Sequence, residues 1–261
     1  MTVTSHDSWL VRHRYLQSVA DVRTIVDAAA ARVPAPPVSN PQWPDYLDDF
    51  HAGIPLLHSE RAALDVVEPV SVVLSVLDAL RAMPAAVPFA ARCRALDADL
   101  RASRTLPPRV EAGLFRVLLW AVLARQLHLV VAAFGNWRDE ERWLRKYCPT
   151  CGEPPAMAQL VGRDPGRLRL LSCGCCRTRW RYRRTGCPFC EVADDHRLAV
   201  VTVEGEGGLR IDYCNACRGY LKTYDGEGSE DVMLADWTSI HLDFIARDRG
   251  LQRLAASLYE V

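Results

Sequence analysis

Along the first 147 residues, apolar positions fall at three- and four-residue steps, the spacing that puts side chains on one face of a helix. Leu16, Val19, Val22, Val26, Ala29 and Val33 form one such series, with Asp7 and Ser8 before it as candidate caps. Pro69 followed by Val70, Val73, Leu77 and Leu80 predicts a second helix, and Phe89, Cys93, Leu96 and Leu100 a third. Pro107 and Pro108 open a long apolar helix to about Phe134, and Asp139 to Tyr147 is read as a short last one. Between the first two, Pro34 to Pro55 holds six prolines with Trp43 and Tyr46 as anchors, which predicts an extended segment lying against the helices. Four or more helices in this stretch imply a bundle.

After Tyr147 the period changes. Short β-type runs appear at Gln159 to Val161, Leu168 to Leu171, Leu198 to Val203, Leu209 to Tyr213 and Tyr220 to Tyr224. They flank turn sequences at Asp164-Pro165-Gly166 and Glu204 to Gly208. From Ala235 to about Leu258, Trp237, Ile240, Phe244, Ile245, Leu251, Leu254 and Leu258 read as a helix broken at Gly250 and docked on the body. The expected organisation is α+β and multidomain. Residues 1–147 form a helical domain, 148–186 and 187–226 two tandem ribbon modules, and 227–261 a C-terminal helix.

Composition narrows the picture only a little. The 32 basic and 32 acidic residues cancel, so no global field draws the chain to nucleic acid or membrane. Met1 to Leu10 lacks the basic and apolar regions of a secretory signal, so the cysteines are expected in the reducing cytoplasm, where paired thiols serve metals rather than disulfides. The stretch from Leu114 to Phe134 has the length of a membrane span, but it contains Arg116, Arg125 and His128. A buried helix, with no membrane insertion, is the expectation.

The cysteines carry the chemistry. Eight of the ten form four CxxC pairs: Cys148/Cys151, Cys173/Cys176, Cys187/Cys190 and Cys214/Cys217. A CxxC turn presents two thiolates on one side of a tight loop, and two such turns close a four-sulfur metal site. The 21 residues between the first two pairs and the 23 between the last two are each enough for one hairpin. Sequential pairing, first with second and third with fourth, therefore uses one hairpin per site. Two metal ions per chain are expected, and spacing does not choose between iron and zinc. Four thiolates leave no open position for water or substrate, no catalytic trio is legible, and a non-enzyme is expected. Cys175, inside the second turn, reads as an exposed bystander, and Cys93 as a core residue. His128 and His241 read as hydrogen-bonded core or interface histidines rather than ligands.

Arg177 to Arg184 interleaves arginines with Trp180 and Tyr182, the composition of a nucleic-acid surface. Between Cys148 and Lys222, however, twelve Lys and Arg face eight Asp and Glu, a balance of +4. Two four-thiolate sites with divalent ions contribute about −2 each, so the arginines serve as counter-charge and nucleic acid is not the expected partner. Alternation places Trp180 and Tyr182 on one strand face and Arg179, Arg181 and Arg183 on the other. A nucleic-acid-binding zinc ribbon and a redox protein cycling iron remain the alternative readings.

The cysteine region resembles one known family, the formate dehydrogenase accessory protein FdhE. The resemblance is carried by Cys148-Pro149-Thr150-Cys151-Gly152 with Pro154-Pro155, by Leu170 to Cys176 with Trp180, by Cys187-Pro188-Phe189-Cys190, and most distinctively by Tyr213 to Lys222. Gly53 to Leu57 and Ala235-Asp236 with His241-Leu242-Asp243 are similar to further elements of that family. Arg177 and Arg179 depart from it, standing where acidic residues are usual. The resemblance implies a helical N-terminal domain followed by two rubredoxin-like metal modules, eight cysteines holding iron or zinc, and a cytoplasmic assembly factor. The implied partner is the catalytic subunit of a molybdenum- or tungsten-dependent formate dehydrogenase.

Overall fold

The computed structural model describes residues 6–36, 38–39, 41–83, 87–105, 109–163, 166–226 and 231–257. Pro107, Pro108, Asp164, Pro165 and Leu258, named in the expectations above, lie outside them.

Helices α1 (His6–Arg12) and α2 (Gln17–Ala30) open the chain, so Asp7 and Ser8 lie inside α1 instead of capping the second helix. Helix α3 (Trp43–Ala52) corrects the expected extended segment. Its proline, Pro44, sits in the first turn, where a missing N–H costs no hydrogen bond, and the four-residue step from Tyr46 to Phe50 buries both rings. Gly53, at φ +84°, ends it. Helix α4 (Pro69–Arg81) is capped by the Glu68 carboxylate, which accepts from Val70 N at 2.8 Å and Ser71 N at 2.7 Å. Helix α5 (Ala90–Ser103) buries Cys93, Leu96 and Leu100 as expected.

Helix α6 (Arg109–Trp137) serves two cores. Leu114, Leu118 and Val122 pack with α2, α4 and α5, while Leu127, Val130 and Phe134 pack with α3 and the cysteine region. Ala112–Trp137 is long and apolar enough to cross a membrane by length and composition alone. Its buried apolar positions are divided between those two cores, and Leu129 is exposed. The segment after it is not helical. Trp143 is fully buried and its indole donates to Tyr147 O at 2.9 Å, while the Tyr147 hydroxyl donates to Gly53 O at 2.8 Å. These two anchors hold 139–147 as a turning loop across α3.

Six strands follow: β1 (Pro155–Val161), β2 (Leu168–Cys173), β3 (Arg179–Tyr182), β4 (Leu198–Thr202), β5 (Leu209–Cys214) and β6 (Tyr220–Asp225). They form a single sheet in the order β3-β2-β1-β6-β5-β4. Each ribbon is an antiparallel meander, and the two join through parallel pairing of β1 with β6, Met157 opposite Lys222 through Leu160 opposite Asp225.

The sheet is covered diagonally. Over the first ribbon, one face carries Ala158, Leu171, Trp180 and Tyr182 and packs on α3, α6 and the 139–147 loop. Over the second ribbon, the opposite face carries Val201, Leu209, Ile211, Tyr220 and Tyr224 and packs on α1, α2 and the C-terminal segment. That segment contains α7 (Asp231–Leu234), a 3₁₀ turn at Asp236–Ser239 and α8 (Ile240–Asp248). The break expected at Gly250 is present, at φ +67°, but the stretch from Ala235 opens on a 3₁₀ turn and is not helical beyond Gly250, where Gln252 bridges to Gly219. A buried cluster fixes it. Lys222 Nζ, with no exposed side-chain surface, lies 2.7 Å from Asp243 and 2.6 Å from Asp236, and Arg253 reaches both carboxylates at 2.7 Å.

Candidate metal centres

The four CxxC turns share one backbone plan. The N–H of each leading cysteine donates to the carbonyl five residues on: Cys148 to Glu153, Cys173 to Thr178, Cys187 to Val192, and Cys214 to Gly219, all at 2.8–3.0 Å. The residue four after each leading cysteine, Gly152, Arg177, Glu191 or Arg218, has positive φ. Three of these are not glycine, so backbone strain is retained where the turn aims its sulfurs inward. Sequence spacing alone did not reveal these positions; Gly152 is the one visible trace.

The turns come together in sequence order. Cys148, Cys151, Cys173 and Cys176 form one set and Cys187, Cys190, Cys214 and Cys217 the other, with the sulfurs of each set within 4.8 Å of one another. In the first set Cys148–Cys176 and Cys151–Cys173 are 3.5 and 3.4 Å apart; in the second Cys187–Cys217 and Cys190–Cys214 are 3.7 and 3.8 Å apart. A tetrahedral ion with metal–sulfur bonds of about 2.3 Å has edges of roughly 3.8 Å, so both sets are sized for one ion, and far too wide for disulfides.

Electrostatics point the same way. Burial pushes the Cys187 thiol up to about 12. Hydrogen bonds that Cys151 and Cys173 donate to neighbouring sulfurs, with burial, raise both strongly. Burial opposes ionisation at Cys176 as well, yet the bonds donated by Cys148, Cys151, Cys173 and Thr178 hold it down. Four thiols this close yield one favoured anion and resist a second. A divalent cation is the group that lets all four ionise.

The two sets differ in surroundings. In the first, Cys148, Cys173 and Cys176 are buried and Cys151 half-buried, within the core that contains Trp120, Leu127 and Trp180. Thr178 Oγ1 lies 3.1 Å from Cys176 Sγ and 2.7 Å from the buried Thr150 hydroxyl. Gly174 lies against Trp120, where a Cβ would approach a ring carbon to 2.9 Å. The second set has Cys187 and Cys214 buried, Cys217 half-buried and Cys190 exposed. Backbone N–H groups of Phe189 and Gly219 point at Cys187 and Cys217 Sγ, each at 3.4 Å.

Cys175 is buried, not exposed, because the second turn is pressed into the same core as Trp120 and Trp180. His128 is exposed and bonded only within its own helix, Nδ1 to Arg125 O at 2.7 Å, which corrects the buried role expected for it. His241 is an interface histidine, 2.8 Å from the Tyr15 hydroxyl. On β3, Trp180 and Tyr182 are buried while Arg181 pairs with Glu141 and Arg179 donates to Gln159. These arginines are tied to the fold.

A helical body fused to one sheet built from two CxxC ribbons defines a protein with two four-cysteine sets, each sized for one metal ion. No family model matches the chain. It is 31% identical over 115 residues to an FdhE homolog of Aquifex aeolicus, covering 43% of this chain and 41% of that protein. It is 34% identical over 124 residues to one of Pseudomonas aeruginosa (44% and 39%) and 32% identical over 162 residues to one of Stutzerimonas stutzeri (59% and 50%). In these matches the chain spans about two fifths to one half of the relatives' length. The crystal structure of the FdhE protein from Pseudomonas aeruginosa shares its fold, with TM-score 0.55 and 24% identity over 94% of this chain and 88% of that one. The chain is thus similar to FdhE homologs over part of its sequence and shares the fold of one of them over most of its length.

Proposed function

We propose that this protein is a non-catalytic cytoplasmic accessory factor that binds the catalytic subunit of a formate dehydrogenase during its maturation. The observation that carries this reading is the pair of four-sulfur sets on a chain similar to FdhE homologs. Cys148, Cys151, Cys173 and Cys176 hold one ion, and Cys187, Cys190, Cys214 and Cys217 the other, each iron or zinc. Bound there, the ion ties two turns together and supplies folding free energy on the order of 10 kcal/mol for a structural zinc. The thiolates around it exclude water, so the centres build a surface rather than a reaction site.

Affinity capture of the tagged chain from its native host is the direct test. Recovery of a formate dehydrogenase catalytic subunit, with loss of formate oxidation on deletion, is the expected result; neither recovery nor loss overturns the reading. A redox reading draws on the exposure of Cys190, since iron in such a set carries one electron and zinc none. Metal analysis of anaerobically purified protein separates the two: colourless protein with stoichiometric zinc removes the redox version.

A further inference from the structure

The diagonal covering of the sheet leaves one face of the second ribbon only partly covered: Leu221 joins the core of the first ribbon, while Val200 toward the edge is exposed. On β4, β5 and β6 that face carries Leu198 and Val200, Arg210 and Asp212, and Leu221, the residues alternating with those packed on the C-terminal segment. Together with Leu160 and with Pro188 and Phe189 of the third CxxC turn they line a groove of about 350 Å³. Val200 is 48% exposed, a large apolar side chain on an outermost strand. Among the described residues β4 pairs with β5 alone, so its other edge offers backbone groups to a further strand.

The lining carries more positive than negative charge. Arg169, Arg184 and Arg210 line the groove with one carboxylate, Asp212, and Arg210 also reaches Asp225 at 3.2 Å. That carboxylate is already shared: it accepts from Arg210 Nε at 2.9 Å, from the Thr223 hydroxyl at 3.0 Å and from Arg169 Nη2 at 3.4 Å. Arg169 is 8% exposed, a buried guanidinium whose Nη1 donates to Gly186 O at 3.0 Å while its Nε has no partner. Three arginines set among apolar walls, with Asp212 the one carboxylate of the lining, are complementary to a carboxylate carried on an apolar segment.

We infer that this groove docks an extended segment of a protein partner in which acidic side chains alternate with apolar ones. The segment lies along β4, its apolar side chains against Leu198, Val200 and Phe189 and a carboxylate toward Arg169 and Arg184. This rests on the accessory reading for the partner's identity, but not for the chemistry of the groove.

The test uses the full, metal-loaded chain and two fluorescent hexapeptides, one alternating Leu with Glu and one alternating Leu with Lys. Anisotropy is expected to show binding of the Glu peptide and not of the Lys peptide. Arg184→Glu, which removes a charge-assisted contact, and Val200→Glu, which sets a carboxylate against an apolar side chain, should each weaken it by about tenfold or more. Arg169→Gln should do the same; because Arg169 is buried, the exposed Val200→Glu decides if that variant fails to fold. Equal binding of both peptides, no binding, or no effect of Val200→Glu overturns the proposal. So does a dimer in sedimentation that Val200→Glu dissolves, which would assign the groove to a second copy. Capture of the formate dehydrogenase subunit is scored separately. If the wild-type chain fails to capture it while the peptide result holds, the accessory reading fails and the groove stands. If groove variants capture it undiminished, the groove is not its docking site.

Discussion

The two ribbons are built alike and housed differently. Both are antiparallel meanders closed by two CxxC turns with the same backbone plan, yet the first is sunk into the helical body and the second stands at the far end of the sheet. Three cysteines of the first set are buried, whereas Cys190 of the second is exposed and Cys217 half-buried. The difference teaches that one local motif takes on two energetic roles according to what is packed around it. Around the first, the protein core encloses the same residues that the proposed metal would tie together. Around the second, the C-terminal segment covers one face only, and its buried ion cluster supplies the anchoring that the helical body supplies to the first.

Removing a thiolate from each set is the strongest way to break the comparison. Cys173→Ser should abolish the first site and, with it, the core it shares with α3 and α6, a loss on the order of 10 kcal/mol. The expected outcome is insoluble protein or no cooperative melt by circular dichroism. Cys190→Ser should lose one metal equivalent and still melt cooperatively. Equal collapse of both variants would mean that the two sites are not energetically distinct.

Packing comes next. Trp180 is fully buried on the first ribbon and its indole donates to Arg145 O at 2.9 Å, so Trp180→Ala should cost about 3–5 kcal/mol in denaturant titrations. On the second ribbon the matching lever is electrostatic. Lys222→Met leaves the buried Asp236 and Asp243 with one cation, Arg253, beside the Ser257 and Tyr220 hydroxyls, and about 3–5 kcal/mol of destabilisation is expected.

Acid should act on the same cluster. Burial opposes ionisation of Asp236, but Lys222 and Arg253 outweigh it and hold the carboxyl well below the usual range. Its folded pKa lies below its unfolded one, so the unfolded chain binds more protons between the two. The stability it contributes is present above the ordinary Asp range and is lost as pH falls from about 4 toward the lowered value. Thermal melts between pH 6 and pH 3 should show the wild type losing more than Asp236→Asn. A parallel decline of both would remove Asp236 from the account.

The smallest effect is expected at β3. Arg181 pairs with Glu141, a carboxylate mostly in solvent, so Arg181→Gln should change stability by no more than about 1 kcal/mol. Salt-sensitive binding of single-stranded RNA that this substitution removes would contradict the view of these arginines as local counter-charge.

Much of this was legible from the chain, and the misses have a common cause. Helices with strong apolar periodicity, such as α4 and α5, fell where their spacing put them, as did the runs that became β2, β4, β5 and β6. Helix α3 was hidden by the prolines around it, although Pro44 occupies the one turn that tolerates proline. The 139–147 loop has helical composition, but Trp143 and Tyr147 are held by partners on α3 and in the loop itself. Cys175 read as exposed because nothing near it in sequence announces the helical wall against which its turn is pressed.

By itself the sequence determined the local chemistry: four CxxC turns, their grouping in order, the hairpins between them and the alternation of β3. Each of these depends on residues within a few positions of one another or on one short hairpin. Only the tertiary structure decided that β1 pairs in parallel with β6, fusing two ribbons into one sheet, and that opposite faces of its two halves are covered. Parallel pairing joins strands nearly sixty residues apart, and which face is buried depends on helices from the other end of the chain; no local pattern encodes either.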